Sequence, residues 1–249
     1  MPRRSLGQEQ WTVAHERGCA VLVSREKLAS VGGRLLDLVF TPRCVGCRRE
    51  GVYLCHSCLD KGTSLPKPYF LGNAGAGEAC LVETIALEGV LSCYAMEGAA
   101  REAVHQLKYR DVRAMAPVLG AMLGERVRAS GMSFQGVCAV PLHPKRLRER
   151  GYNQSALLAK EAARSLGLPL HLDVVRRTRY GQPQARSANM AERRSGVRDA
   201  FSASVRLDGA RLLLVDDVCT TGATLDACAH ALKSAGAASV WGLTVARAL

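Results

Sequence analysis

A chain of 249 residues has room for one ordinary α/β domain and a small appendage, but not for two large domains. Hydrophobic residues make up 48% and charged residues 22%, which excludes a disordered protein. No apolar run approaches the roughly 18 residues of a membrane span. The net charge of +12 is unevenly spread, with 14 Lys or Arg against 5 Asp or Glu between Pro141 and Arg206. Such a concentration points to phosphate-bearing partners, a small polyphosphate or a nucleic acid; the bland alternative is a solvated basic face.

Residues 1–33 read as an N-terminal extension without a strong motif. Glu9, His15, Glu16 and Arg17 interrupt any secretory signal, so a cytoplasmic location without membrane insertion is expected. A short helix is expected over Lys27–Arg43, ending at the extended Thr41-Pro42 step. Residues 34–62 contain the first chemical signal. Cys44 and Cys47 form one Cys-x2-Cys pair, seven residues separate it from the next, and Cys55 and Cys58 form the second. A two-residue gap turns both thiolates of a pair inward, and two such turns close a tetrahedral cage around structural zinc. Gly46 eases the first turn, His56 is a bystander, and an iron–sulfur cluster is the minor alternative. Cys19, Cys80, Cys93, Cys138, Cys219 and Cys228 sit among apolar or small residues and read as buried thiols.

Residues 63–78, with Pro66, Pro68, Gly72, Gly75 and Gly77, read as a linker. The glycine run lacks the spacing of a dinucleotide fingerprint. From 79 to 249 strands and helices alternate, which predicts a parallel sheet flanked by helices. Two short strands are expected within Val82–Tyr94, around Glu88-Gly89. Helices follow over Glu97–Tyr109, with apolar Ala100, Ala103, Val104 and Leu107, and over Val112–Val127. Val137–Leu142 predicts a strand, Gln154–Leu166 a helix, Arg211–Val215 a buried strand. Thr224–Ala235 predicts a helix closed by Gly236, and Val240–Ala246 a final strand.

The densest chemistry runs from Leu212 to Thr224. A buried strand leads into Asp216 and Asp217, then a hydroxyl- and glycine-rich loop, then a helix. Ligands bind at strand carboxyl ends in open α/β sheets. Adjacent carboxylates repel and need hydroxyls or a cation beside them. The loop offers backbone N–H groups and threonine hydroxyls at a helix N-terminus, the chemistry of a phosphate site. A ribose 5-phosphate satisfies both halves. The Pro141–Gln154 segment follows a strand end, and Lys145, Arg146, Arg148 and Arg150 supply donors for a pyrophosphate, with Glu149 the one acid among them.

Leu212–Thr224 resembles the phosphoribosyl diphosphate (PRPP) motif of type I phosphoribosyltransferases. The resemblance implies a type I phosphoribosyltransferase-like fold. It implies that Asp216 and Asp217 form the catalytic pair and contact the ribose hydroxyls. Thr220, Thr221, Gly222 and Thr224 would hold the 5-phosphate, with backbone from Val218, Cys219 and Ala223. Val140–Gln154 is similar to the pyrophosphate-loop region of the competence protein ComF family, whose members carry an N-terminal zinc ribbon. There Lys108, within Leu107-Lys108-Tyr109, joins His143, Lys145, Arg146, Arg148 and Arg150 at the pyrophosphate. Arg177 and Arg179, with Gln184 and Arg193, resemble that family's flexible loop. Gly181 and Gly196 depart from its pattern, and the second set of cysteine knuckles of many relatives is absent.

The family resemblance implies PRPP and magnesium binding linked to DNA uptake in natural transformation. It brings single-stranded DNA and a competence helicase as possible partners. A transferase of this type needs an acceptor, which no segment of the sequence specifies. Two alternatives stand beside it: a non-enzymatic module sensing PRPP or a nucleotide while binding single-stranded DNA or a helicase, and a purine or pyrimidine salvage enzyme. The ribbon and the basic segment argue against salvage. Aromatic residues are only 5% of the chain, so binding of single strands is expected to rest on charge more than on stacking.

Overall fold

The computed structural model describes residues 41–71, 85–110, 112–177 and 200–249. In chain order they form α1 (His56–Leu59), β1 (Gly89–Ala95), α2 (Gly98–Tyr109), α3 (Met115–Ser130), β2 (Gly136–Ala139) and α4 (Pro144–Arg150). Then follow α5 (Gln154–Leu166), β3 (Leu170–His171), β4 (Val175–Arg177), β5 (Phe201–Ala203), β6 (Arg211–Cys219), α6 (Ala223–Ser234) and β7 (Ser239–Arg247). Five strands make a parallel sheet in the order β1-β7-β6-β2-β3, while β4 and β5 pair antiparallel beside it.

β6 is central because Leu212, Leu213, Leu214 and Val215 demand cover on both faces of the sheet, and all four are buried. One face packs Leu213 and Val215 against α2, α3 and α5. The other packs Leu212 and Leu214 against α6 and the β4–β5 pair. Helices α3 and α5 approach very closely. A β-carbon at Gly120 would collide with Glu161, and one at Gly124 with Ser165, so only glycine permits this distance. Cys93, Cys138, Cys219 and Cys228 are buried as expected, and burial pushes the Cys93 and Cys138 thiols up to about 12. Cys19 and Cys80 lie outside the described residues.

Several elements differ from expectation. β6 continues four residues past Val215, because β7 keeps pairing with it as far as Cys219 opposite Arg247. Asp216 and Asp217 therefore stand on the strand itself. Of the two strands expected in Val82–Tyr94, the second forms as β1, while the first lies partly outside the described residues, at 82–84. Residues 85–88 stay irregular because the Ala86 and Leu87 amides donate to Asp226 Oδ1, at 2.8 and 3.1 Å, and not to a strand. The segment at 63–70 runs along the free edge of β1, with Tyr69 and Val90 exchanging backbone hydrogen bonds of 2.9 and 2.8 Å. Buried Arg126 fixes it by donating to the carbonyls of Pro66 and Ser92, at 2.9 and 3.0 Å. Pro141–Gln154 contains the helix α4, with Pro144 in its first turn and Gly151 ending it at φ 77°.

Candidate functional site

The carboxyl end of β6 presents two acids with different partners. Asp216 Oδ1 accepts from the Ser155 hydroxyl at 2.7 Å and from the Asp217 amide at 2.9 Å. Ser155 is placed there by the start of α5, where the Asn153 side chain accepts from the Ser155 amide. Asp217 is buried, and its Oδ1 lies 3.0 Å from Lys108 Nζ at the end of α2. Its Oδ2 is buried without a hydrogen-bond partner. Burial first, and then the charge of Asp217, push the Asp216 carboxyl up to about 7 against the hydrogen bond from Ser155.

The chain leaves β6 through exposed Thr220 and Thr221, turns at Gly222, and enters α6 with Ala223 and Thr224 again exposed. Gly222 has φ 81°, and a β-carbon on it would lie 2.8 Å from Leu71, so glycine is required for both reasons. Gly222, at the N-cap of α6, has no side chain to cap it; the Thr221 hydroxyl accepts from the Ala223 amide at a long 3.4 Å, and the N-terminal end of the helix faces the exposed loop, where an anion can bind.

Lys108 also lines an open cleft of about 580 Å³, together with Tyr109, Arg146, Glu149, Arg150 and Tyr152. The Tyr152 hydroxyl donates to the Leu107 carbonyl, tying the start of α5 to the end of α2. Arg150 donates to the Gln154 side chain and lies 5.3 Å from the centre of the Tyr109 ring. No residue of α4 is buried, so Lys145, Arg146 and Arg148 contribute charge and no packing.

The four cysteines converge. Their Sγ atoms all lie within 4.8 Å of one another, with Cys44–Cys55 at 3.6 Å and Cys47–Cys55 at 3.7 Å. A tetrahedral ion with bonds of about 2.3 Å needs edges of about 3.8 Å, so the set can hold a metal ion. Burial raises the Cys44 thiol, but N–H groups of Cys47, Cys55 and Gly46 outweigh it and bring it to about 6. Cys58 is pushed up to about 12, chiefly by its hydrogen bond with Cys55 and then by burial. The cluster packs on Ala99 in the first turn of α2.

The structure thus brings together Asp216, Asp217 and Lys108, sets Val218 to Thr224 at the β6–α6 junction, and places Arg146 and Arg150 on the adjoining cleft. His143 caps α4, its Nδ1 accepting from the Lys145 amide at 3.1 Å. Arg177 lies on β4 with its guanidinium 5.3 Å from the Phe201 ring centre. Arg179, Gln184 and Arg193 lie outside the described residues, as do Gly181 and Gly196. Ser155, Tyr109, Tyr152 and Leu71 were not singled out as site residues from sequence. The N-cap at Asn153 was a usable signal for Ser155.

A family model described as the phosphoribosyl transferase domain matches residues 153–248. With the five-stranded parallel sheet, this establishes a type I phosphoribosyltransferase-like α/β fold. Competence protein F of Haemophilus influenzae is 36% identical over 215 residues, covering 81% of this chain and 84% of that protein. DNA utilization protein YhgH of Escherichia coli is 34% identical over 143 residues, covering 55% of this chain and 62% of that protein. Among solved structures, glutamine phosphoribosylpyrophosphate amidotransferase from B. subtilis is 28% identical, covering 51% of this chain and 25% of that one with a TM-score of 0.36. On the extent and identity of the first of these matches, the chain belongs to the competence protein F family.

Proposed function

We propose that this protein binds PRPP with magnesium at the carboxyl end of β6, in the service of DNA uptake, and that Cys44, Cys47, Cys55 and Cys58 hold one structural zinc. The observation that carries the pocket is the adjacency of two carboxylates to the exposed hydroxyl loop that opens α6. Asp216 and Asp217 accept hydrogen bonds from the ribose hydroxyls. Thr220, Thr221, Thr224 and the first N–H groups of α6 take the 5-phosphate. Lys108, beside Asp217 and on the wall of the basic cleft, faces the diphosphate, with Arg146 and Arg150 beyond it.

Magnesium fits this donor set, since the buried Oδ2 of Asp217 lacks a partner. When bound, it supplies positive charge to the diphosphate oxygens. The chain's own contribution is to hold the ribose and diphosphate and to surround the leaving group with fixed cations. The competence and DNA-utilization relatives support the link to DNA uptake; single-stranded DNA and a helicase are the partners this reading names. Among the described residues no helix is long and apolar enough to cross a membrane.

Calorimetric titration of PRPP with magnesium tests the pocket. In Asp216→Asn combined with Asp217→Asn, affinity should fall by about 1.5–3 kcal/mol for each charge-assisted hydrogen bond lost. Equal affinity in a folded variant, as judged by circular dichroism, refutes the assignment.

A further inference from the structure

We propose that the cleft between the end of α2 and α4 takes an unpaired base of single-stranded DNA, stacked on Tyr109, with the neighbouring phosphates on α4. Tyr109 follows the buried stripe of α2, Ala100, Ala103, Val104 and Leu107, and is itself 66% exposed. A single exposed aromatic is ordinary, but this ring stands in a built setting. The His105 ring lies 4.9 Å from it and the Arg150 guanidinium 5.3 Å from its centre. Arg150 is in turn tethered to Gln154, and the Tyr152 hydroxyl on the Leu107 carbonyl ties the segment after α4 to the end of α2. The ring and its cation are therefore ordered before a ligand arrives, which lowers the entropic cost of binding.

A tyrosine face beside a guanidinium is the chemistry that stacks any nucleobase without regard to sequence. In a duplex both faces of each base are already stacked, so the cleft selects an unpaired one. Exposed Lys145, Arg146 and Arg148 follow along α4, with Glu149 its one acid. An acidic peptide would meet these cations and leave the ring without a role; a single strand uses both. The low aromatic content is then no obstacle, because one positioned ring suffices where charge supplies the rest. The base would lie beside Lys108, which pairs with Asp217, and so next to the pocket proposed for PRPP.

This inference rests on the reading of the protein as one that handles single-stranded DNA, and its test lets the two fail separately. Fluorescence anisotropy would compare a thymidine strand of about 12 nucleotides with an abasic strand carrying the same number of phosphates. The parent should bind the thymidine strand about tenfold more tightly. Tyr109→Ala and Tyr109→Leu should bring the two strands within about twofold, and Tyr109→Phe should keep the difference, since the ring and not the hydroxyl stacks. The salt slope should be unchanged by the Tyr109 variants and should fall by about 0.7 in Arg146→Gln. A parent that binds both strands equally, or a Tyr109→Leu protein that retains the preference, overturns the Tyr109 site while leaving DNA binding in place. Failure to bind either strand overturns both readings.

Discussion

The ion pair at the end of β6 should be energetically lopsided. Lys108 Nζ lies 3.0 Å from Asp217 Oδ1, with 22% of the lysine side chain exposed and 5% of the aspartate. Lys108→Met removes the cation and leaves a buried carboxylate whose Oδ2 already lacks a partner. Breaking a buried pair this way costs about 3–5 kcal/mol. The partial exposure of Lys108 lowers the figure to about 2–4 kcal/mol. Asp217→Asn is milder, because the lysine's flexible stem can turn its amine to water, and should cost about 1 kcal/mol or less. The double variant should fall near Asp217→Asn, giving a coupling about equal to the Lys108→Met cost, about 2–4 kcal/mol. Urea unfolding followed by circular dichroism, at pH 7 without ligand or divalent ions, measures all four proteins. A Lys108→Met protein within about 0.5 kcal/mol of the parent, or an Asp217→Asn protein less stable than Lys108→Met, refutes the reasoning.

Two further outcomes follow from the titrating groups. Burial and the neighbouring Asp217 raise Asp216 to about 7 in the folded chain, above its ordinary unfolded value of about 3.9. A raised carboxyl contributes stability that is fully present below about 3.9 and lost as pH rises through about 7, so ligand-free stability should decline across that window. PRPP–magnesium affinity should gain over the same window, as the ionised acceptor forms, and Asp216→Asn should abolish that part of the rise; an identical calorimetric pH profile in the variant excludes Asp216 as a contact. At the cysteine cluster, elemental analysis should find about one zinc per parent chain and almost none in Cys58→Ser, and undiminished zinc would dismiss the cage.

What could be read from the sequence was what is local in it. β6 was legible because four buried apolar residues precede the acids, and α5 because Asn153 caps one end and Gly167 closes the other. α4 was hidden because a two-turn helix with no buried residue has no apolar stripe to betray it. The edge segment at 63–70 was hidden because its order depends on the backbone of β1 and on Arg126, a residue 60 positions away from Pro66. At the site, the acids and the hydroxyl loop were contiguous and could be found together. Ser155 is 61 residues from Asp216, and only the fold brings its hydroxyl to that carboxylate. The same is true of Tyr109 and Arg150, which come from different helices and meet only across the cleft.

Helix α2 carries most of these long-range relations. At its start the Glu97 carboxylate accepts from the Thr63 amide and hydroxyl, at 3.1 and 2.6 Å, and Ala99 lies against the cysteine cluster. Along its length Ala103, Val104 and Leu107 are fully buried against the sheet. At its end the Leu107 carbonyl accepts from Tyr152, and Lys108 reaches Asp217. Twelve helical residues span about 18 Å, so the cysteine cluster and the acid pair stand at opposite ends of one stiff element. A helix this short is marginal on its own and owes its stability to what it packs against. Its register is thus fixed jointly by the cysteine turn at one end and by the tyrosine and aspartate at the other. A shift of one residue would bury Lys108 and carry Leu107 out of the core, which ties the apolar stripe read from the sequence directly to the placement of the lysine at the site.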